Sequence, residues 1–557
     1  MNQSLIATKK TSDLKIVLLD GYLDEPSCLG VPPYISPHVR YAYGALLDLG
    51  IAPDSIVYAT IDQLRQAREE YLDMARSADA VVVIAGATVP GRYLGGRPIS
   101  TREIGDLGSA IEPVPLILGG PIVLCQDDIR GVSVVCSEIA AISLQAILGG
   151  RSEPEPGVGH LWAERIARFA LLGATLTTRH PSFPYVVCEL ETFRGCPRRQ
   201  NCAFCSEGKK QVRYHRPVAD VVAEVEALAD QGNRYYRLGC QSDLFLYGAR
   251  PRAGQLYPEP AVIQELYQGI RQVAPALKVL HMDNANPATI MRDPKAAEAI
   301  MEIVCRYNTP GDVAAFGLES ADPVVLTANR VETSPEETLA AIRLMNQIGG
   351  HRQDGIPRLL PGLNLLHGLI GERPETMENN FRYLQRLLDT DLLVRRINIR
   401  QVLTWGGYKP TRISAHRFQA YKDKVNDEIN KPMLRKVFPI GTLLRDVHIE
   451  EVRGQISFGR QLGTYPILVG IPGEEALGSI LDVRVIDHGY RSVTALPAPF
   501  YINRASVAQL AALPGMGRKR ATRLFLAQPL RDANQVEQLL EGQVDLSSIL
   551  PWISFSH

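Results

Sequence analysis

At 557 residues the chain exceeds what one hydrophobic core supports, and about three to five units are expected. Its composition, 45% hydrophobic and 22% charged with 60 Lys+Arg against 60 Asp+Glu, is that of a folded globular protein. Zero formal charge excludes a whole-protein field for nucleic acid, so such a partner needs a local basic patch. No apolar run reaches membrane-spanning length and MNQSLIATKKTSDLKIVLLD lacks an h-region, so a cytoplasmic location without a membrane partner is expected.

Residues 1–150 read as alternating strands and helices. KIVLLD, DAVVVIAG and VPLILGGP are apolar strands, two of them ending in glycine turns, and VRYAYGALLDLG is an amphipathic helix stopped by Gly50. The pattern predicts a Rossmann-like, doubly wound parallel sheet. Residues 151–183 open with the polar RSEPEPGVG and are expected to form a linker, with a short helix over 161–172. From 184 to 437 the alternation resumes through YVVCEL, YYRLGC, KVLHMD, VAAFGLES, LNLLHGLIG and RRINIRQVL. This predicts a partial (β/α) barrel, with chemistry at the carboxyl ends of its strands. Residues 438–496 are short β segments broken by glycine, as in a small antiparallel barrel. Residues 497–557 are helical. The whole is an α/β multidomain chain.

The nine cysteines are odd in number, and six are scattered singly, which argues for a reduced compartment and packing thiols. Three crowd into ETFRGCPRRQNCAFCSEG as Cys196, Cys202 and Cys205, directly after a predicted strand. Soft thiolates converging from a short loop suit an iron–sulfur cluster, and three ligands for four irons leave one iron open. Zinc is the alternative, but it calls for a fourth close ligand, and only His215 is near.

The Cys-x5-Cys-x2-Cys loop resembles that of the radical S-adenosylmethionine (SAM) superfamily, whose usual first gap is shorter by two residues. The resemblance covers about 184–405. It implies a 4Fe–4S cluster on Cys196, Cys202 and Cys205, SAM bound at the open iron, and reductive cleavage to methionine and a 5′-deoxyadenosyl radical. An electron donor such as ferredoxin or flavodoxin is implied with it. Phe204, the aromatic residue before the last cysteine, matches the family's adenine contact. Ser242 and Asp243 in GCQSDLF, Glu319 and Ser320 in GLES, and Gly368 in LLHGLIGE match its further SAM contacts. Arg194, Arg198, Arg199, Lys209, Lys210, Arg213 and Arg216 are candidates to face an anionic substrate or to form a solvated loop.

The amino-terminal unit resembles the cobalamin-binding-like domain that precedes many such cores, chiefly at Gly119-Gly120-Pro121. The Asp-x-His-x-x-Gly motif of a cobalt ligand is absent, so bound cobalamin is an open expectation. Cys28, Cys125 and Cys136 do not have methylthiotransferase spacing and are expected to pack. Residues 438–496 resemble a TRAM-type RNA-binding barrel at Gly459-Arg460 and Arg484.

INRASVAQLAALPGMGRKRATRLF resembles a helix-hairpin-helix. Gly515 and Gly517 would let backbone N–H groups approach a phosphate, beside Arg518, Lys519, Arg520 and Arg523. Between 497 and 531 there are six Arg/Lys and no acid, which supplies the local patch. The arrangement resembles a group of archaeal-type radical SAM proteins that end in this motif. With the basic tail it leads to the expectation of an enzyme acting on nucleic acid, RNA or DNA, with RNA favoured. The alternatives are a cobalamin-dependent methyltransferase for a small molecule or protein, and a non-enzymatic iron–sulfur protein that binds nucleic acid.

Overall fold

A computed structural model describes residues 9–25, 28–86, 96–124, 129–403 and 407–555. Strands β1 (Ile16–Asp20), β3 (Ile56–Thr60), β4 (Ala80–Ile84), β5 (Leu116–Gly119) and β6 (Val134–Val135) form an all-parallel sheet in the order β3-β1-β4-β5-β6. β1, β4 and β5 are buried along their whole length, as strands covered on both faces must be. At the predicted glycine turn, a Cβ on Gly119 would stand 2.4 Å from that of Ala140, and Gly120 has φ 94°. Close packing of the following helix therefore demands glycine here.

The intervening strand β2 (Tyr34–Ile35) does not join this sheet. It pairs in parallel with β7 (Val187–Glu191), as Tyr34↔Val187 and Ile35↔Cys188. The helix that follows, Pro37–Asp48, is capped by Ser36 and packs against the helix Gly159–Gly173. The segment expected to be a linker over 151–183 therefore carries a packed helix, with Trp162, Ile166 and Phe169 buried. Its short polar opening hid an apolar stripe that needs a partner.

The core continues with β8 (Tyr235–Gly239), β9 (Val279–Met282), β10 (Asn284–Ala285), β11 (Asp312–Glu319), β12 (Leu359–His367) and β13 (Arg396–Gln401). All ladders are parallel and run in sequence order, with β9 and β10 forming one strand interrupted at Asp283. Asp283 is buried and pairs with Arg237, which also pairs with Glu189. Charged residues thus share the interior of the partial barrel, while Leu238, Leu280, Leu363 and Ile399 pack outward under the helices.

The small barrel comprises β14 (Leu443–Arg453), β15 (Ile456–Arg460), β16 (Leu468–Pro472), β17 (Ile480–His488) and β18 (Ser492–Pro497), closed in the order β14-β15-β16-β18-β17. The expected antiparallel pairing needs one correction: β16 and β18 run parallel, as Leu468↔Ser492. Closing five strands in this order brings two of the same direction together, the topology of an OB fold. The β15–β16 loop enters the core. Tyr34 donates to Gly463 O, the Thr464 N–H to His281 Nδ1 (2.9 Å), and Arg395 to Tyr465 O (3.0 Å).

The tail packs helices Val507–Ala511, Arg518–Leu526 and Ala533–Leu540 around Leu510, Leu513, Met516 and Leu524. No helix among the described residues is long and apolar enough to cross a membrane.

Candidate active site

The cysteine loop leaves the carboxyl end of β7. Phe193–Arg194 pairs with Tyr214–His215 as an antiparallel ladder, which pinches the loop at its base. Gly195, at φ 85°, turns the chain into it. Within the loop, Cys205 N–H donates to Cys202 O (3.1 Å) and Ala203 N–H to Asn329 O (2.9 Å).

Cys196 is buried, and Cys202 and Cys205 are partly exposed. The electrostatic influence of Cys196 reaches both of the other thiols. Burial pushes the Cys202 thiol up to about 11 and Cys205 higher still, with Arg198 opposing the rise at Cys202. Buried thiols of this kind become thiolates only beside strong positive charge, which a metal supplies. Among the described residues no three His, Cys, Asp or Glu side chains come together as ligands of one ion. The three thiols share one loop and one electrostatic neighbourhood, and thiolates are the donor type that an iron–sulfur cluster takes.

Arg198 is the charge common to the site. It influences Cys202, Asp243 and Glu319, and it stands 3.8 Å from Glu332. Asp243 caps the turn after β8, accepting from Phe245 N–H (3.2 Å) and Asn286 N–H (3.3 Å); burial raises it to about 6. Ser242 Oγ beside it is buried without a partner. Glu319 ends β11 at φ 60°, past an irregularity in the register, and burial lifts its carboxyl to about 8. A non-glycine residue in the left-handed region costs on the order of 1 kcal/mol or more and is held only by its surroundings. Ser242 and Asp243 follow β8 and Glu319 ends β11, two strands separated by the interrupted β9–β10, and the Arg198 charge reaches both carboxyls.

Phe204 meets Tyr408 edge-on, with centroids 6.4 Å apart, in an apolar wall with Val325, Leu366, Leu369 and Val402. Gly368, at φ 86°, is next to that wall, its N–H donating to the Glu372 carboxylate and its C=O accepting from Thr411 (2.9 Å). The two segments expected against adenine therefore meet. Ser320 is a correction. It is fully buried, donates to Asn380 Oδ1 (3.2 Å) and accepts from Asp322 N–H (3.1 Å), so it builds the turn instead of reaching into the barrel.

Several flanking cations also lie elsewhere than expected. Arg194 is buried against Glu138 (3.0 Å), Arg216 against Glu224 (2.5 Å), and Lys210 against Glu207. Arg194 ties the loop's base to the segment before the helix Ala140–Gly149, Arg216 ties it to the helix Val218–Asp230, and Lys210 pairs within the loop. His215 stacks on Phe193. Cys136 is buried, while Cys125 and the side chain of Cys28 lie outside the described residues.

Asn329 and Tyr408 carried no sequence signal. Asn329 receives Ala203 N–H on its carbonyl, donates to Ile370 O (2.8 Å) and accepts from Tyr408 Oη (2.5 Å). It ties the cysteine loop to the Gly368 turn, a contact between residues far apart in the chain.

In the tail, Gly515 has φ 67° and Gly517 is extended at the start of Arg518–Leu526. Arg520 donates to Gly515 O (3.0 Å), and Arg523 donates to Leu539 O (2.7 Å) and pairs with Glu541 (2.9 Å). Arg518 and Lys519 are left exposed. In the small barrel Arg460 pairs with Glu450 (2.7 Å), and Arg484 donates to Gly441 O (3.3 Å).

The family described as Radical SAM superfamily matches residues 190–384. An uncharacterized protein of Archaeoglobus fulgidus is 40% identical over 537 residues, covering 94% of this chain and 97% of its own. The ribosomal protein uS12 methylthiotransferase RimO of Anaeromyxobacter sp. is 26% identical over 343 residues, 60% of each chain. Among solved structures, the radical SAM methyltransferase TsrM of Kitasatospora setae, with tryptophan and a SAM analog bound, is similar at a TM-score of 0.47 and 17% identity, over 69% of this chain and 72% of that one.

Proposed function

The chain belongs to the radical SAM superfamily, and from that premise we propose that it modifies nucleic acid, with RNA as substrate. It is a radical SAM enzyme that uses a 4Fe–4S cluster and SAM. When bound, the cluster supplies the electron that cleaves SAM to methionine and a 5′-deoxyadenosyl radical.

In this reading Cys196, Cys202 and Cys205 hold three irons, and Arg198 offsets part of the thiolate charge. Ser242, Asp243 and Glu319 receive the amino group of SAM. The raised carboxyls of Asp243 and Glu319 become anionic once that cation sits between them. Phe204, Leu369 and the Gly368 backbone line the adenine, and the apolar wall keeps water from the radical. The single electron comes from a ferredoxin or flavodoxin.

The exposed Arg518–Lys519 pair at an N-terminus of the tail carries the nucleic-acid reading. The helix starts there behind two glycines, with its first N–H groups free of a side-chain cap. The OB topology of the small barrel, whose TRAM-like character belongs to this proposal, supports the same substrate. Comparing modified nucleosides in RNA from cells with and without the protein tests it: an unchanged nucleoside profile sinks RNA as substrate. The parallel amino-terminal sheet with its Gly119–Gly120 turn supports a cobalamin-dependent variant of the chemistry, which cobalt content after anaerobic purification decides.

A further inference from the structure

The last core strand, β13, carries polar residues at alternate positions. Ile397 and Ile399 pack outward beneath the helices. Arg396, Asn398 and Arg400 therefore face the barrel interior. Arg491, from the turn between β17 and β18, reaches the same place. Asn398 Oδ1 accepts from Arg396 Nε (2.7 Å) and from Arg491 Nη2 (3.1 Å), while Asn398 Nδ2 donates to Asn364 Oδ1 (2.9 Å). Arg396 also lies over the Tyr465 ring, 4.9 Å from its centroid.

Two guanidinium groups thus converge on one amide oxygen, with a third close by. Among the described residues no carboxylate pairs with Arg396, Arg400 or Arg491. Elsewhere in this chain buried arginines have such partners: Arg40 and Arg216 share Glu224, and Arg237 holds Glu189 and Asp283. Burial, then the neighbouring Arg491, Arg400 and Arg395, push the Arg396 guanidinium down to about 9. Crowding like charges in a partly dry crevice is costly unless an anion joins them.

We propose that Arg396, Arg400 and Arg491, the first and last of them oriented by Asn398, form a phosphate-binding site for the substrate in the barrel interior, below the carboxyl ends of the strands. Three guanidinium forks match the several oxygens and charge of a phosphate better than the single charge of a planar carboxylate. The ladder sets its height. Arg400 pairs with Leu366, two residues before Gly368, and Asn398 with Asn364, so the stripe climbs toward the Phe204 wall. A phosphate held here fixes how far the substrate enters. The assignment rests on the nucleic-acid reading only for the source of that phosphate.

The test uses the full-length protein and three probes: sodium pyrophosphate, a 5′-mononucleotide and a single-stranded RNA oligonucleotide. Pyrophosphate is expected to raise the melting temperature of the wild type. Arg396→Gln and Arg491→Gln should weaken its binding by about tenfold or more, as removal of one charge-assisted hydrogen bond does. Arg491→Lys should restore part of it, and Lys519→Glu should leave it unchanged. Arg491 also joins the small barrel to Asn398, so Arg491→Lys, which keeps the charge, is compared with Arg491→Gln: binding that follows the charge and not the melting temperature of the unliganded protein marks the phosphate site. Equal pyrophosphate binding by wild type and both arginine variants overturns the site. So does a loss seen only with Lys519→Glu. If pyrophosphate and the mononucleotide depend on the arginines while RNA fails to compete, the site stands and RNA as substrate falls.

Discussion

Tyr408 Oη donates to Asn329 Oδ1 at 2.5 Å while accepting the Ile370 N–H at 3.0 Å. One phenol thereby fixes both the residue that anchors the cysteine loop and the turn that carries Gly368. Tyr408→Phe leaves the buried Asn329 Oδ1 and the part-buried Ile370 N–H without this partner, at about 1–3 kcal/mol. We expect a lower melting temperature and weaker SAM binding, with iron content unchanged. Isothermal titration beside iron assay checks this.

Cys196→Ala, Cys202→Ala and Cys205→Ala should each abolish 5′-deoxyadenosine formation and lower iron and sulfide after anaerobic reconstitution. Cys305→Ala, distant from the loop in the fold, should retain both. Full cluster content in any of the three variants would remove that residue from the ligand set.

Glu224 stands between Arg40 (2.5 Å) and Arg216 (2.5 Å), all three buried. Glu224→Gln leaves two buried cations without their anion and should destabilise the fold by about 3–5 kcal/mol. Urea unfolding of the variant measures it, and a change under about 1 kcal/mol would contradict the account.

His281 Nδ1 accepts from Thr464 N–H, and burial lowers its pKa from 6.5 to about 3. The folded state therefore holds the ring neutral where the unfolded chain takes up a proton. Its contribution to stability is present above pH 6.5 and is lost progressively as pH falls toward 3. Melting temperature against pH should slope less in His281→Asn across that window.

Arg518→Glu with Lys519→Glu should weaken RNA binding and lessen its salt dependence, by about 0.7 in the log–log slope for each phosphate no longer neutralised. Arg520→Glu should instead lower stability, because Arg520 closes the hairpin onto Gly515 O. Unchanged salt dependence in the double variant takes the tail out of substrate binding.

What the sequence disclosed follows from locality. Three cysteines within ten residues, and apolar strands spaced by amphipathic helices, carry their meaning in short windows. Arg194 and Arg216 resembled substrate-facing charges because they flank the loop in the chain. Their acidic partners, Glu138 and Glu224, come from helices and turns that only the fold brings near. Asn329 and Tyr408 were silent for the same reason. A helix within 159–173 is legible in the sequence, but its packing into the core is not, since its partner helix lies more than a hundred residues earlier.

The β15–β16 loop seated among Tyr34, His281 and Arg395 makes the small barrel part of the packing of the core as well as an appendage. Arg491 reaches Asn398 from the same unit. A chain cut before residue 438 would lose those contacts and bare Tyr34, His281 and Arg395 to water. The carboxyl-terminal units therefore cannot be traded between relatives as cassettes; any exchange must carry the matching residues of the core, and the two halves must change together.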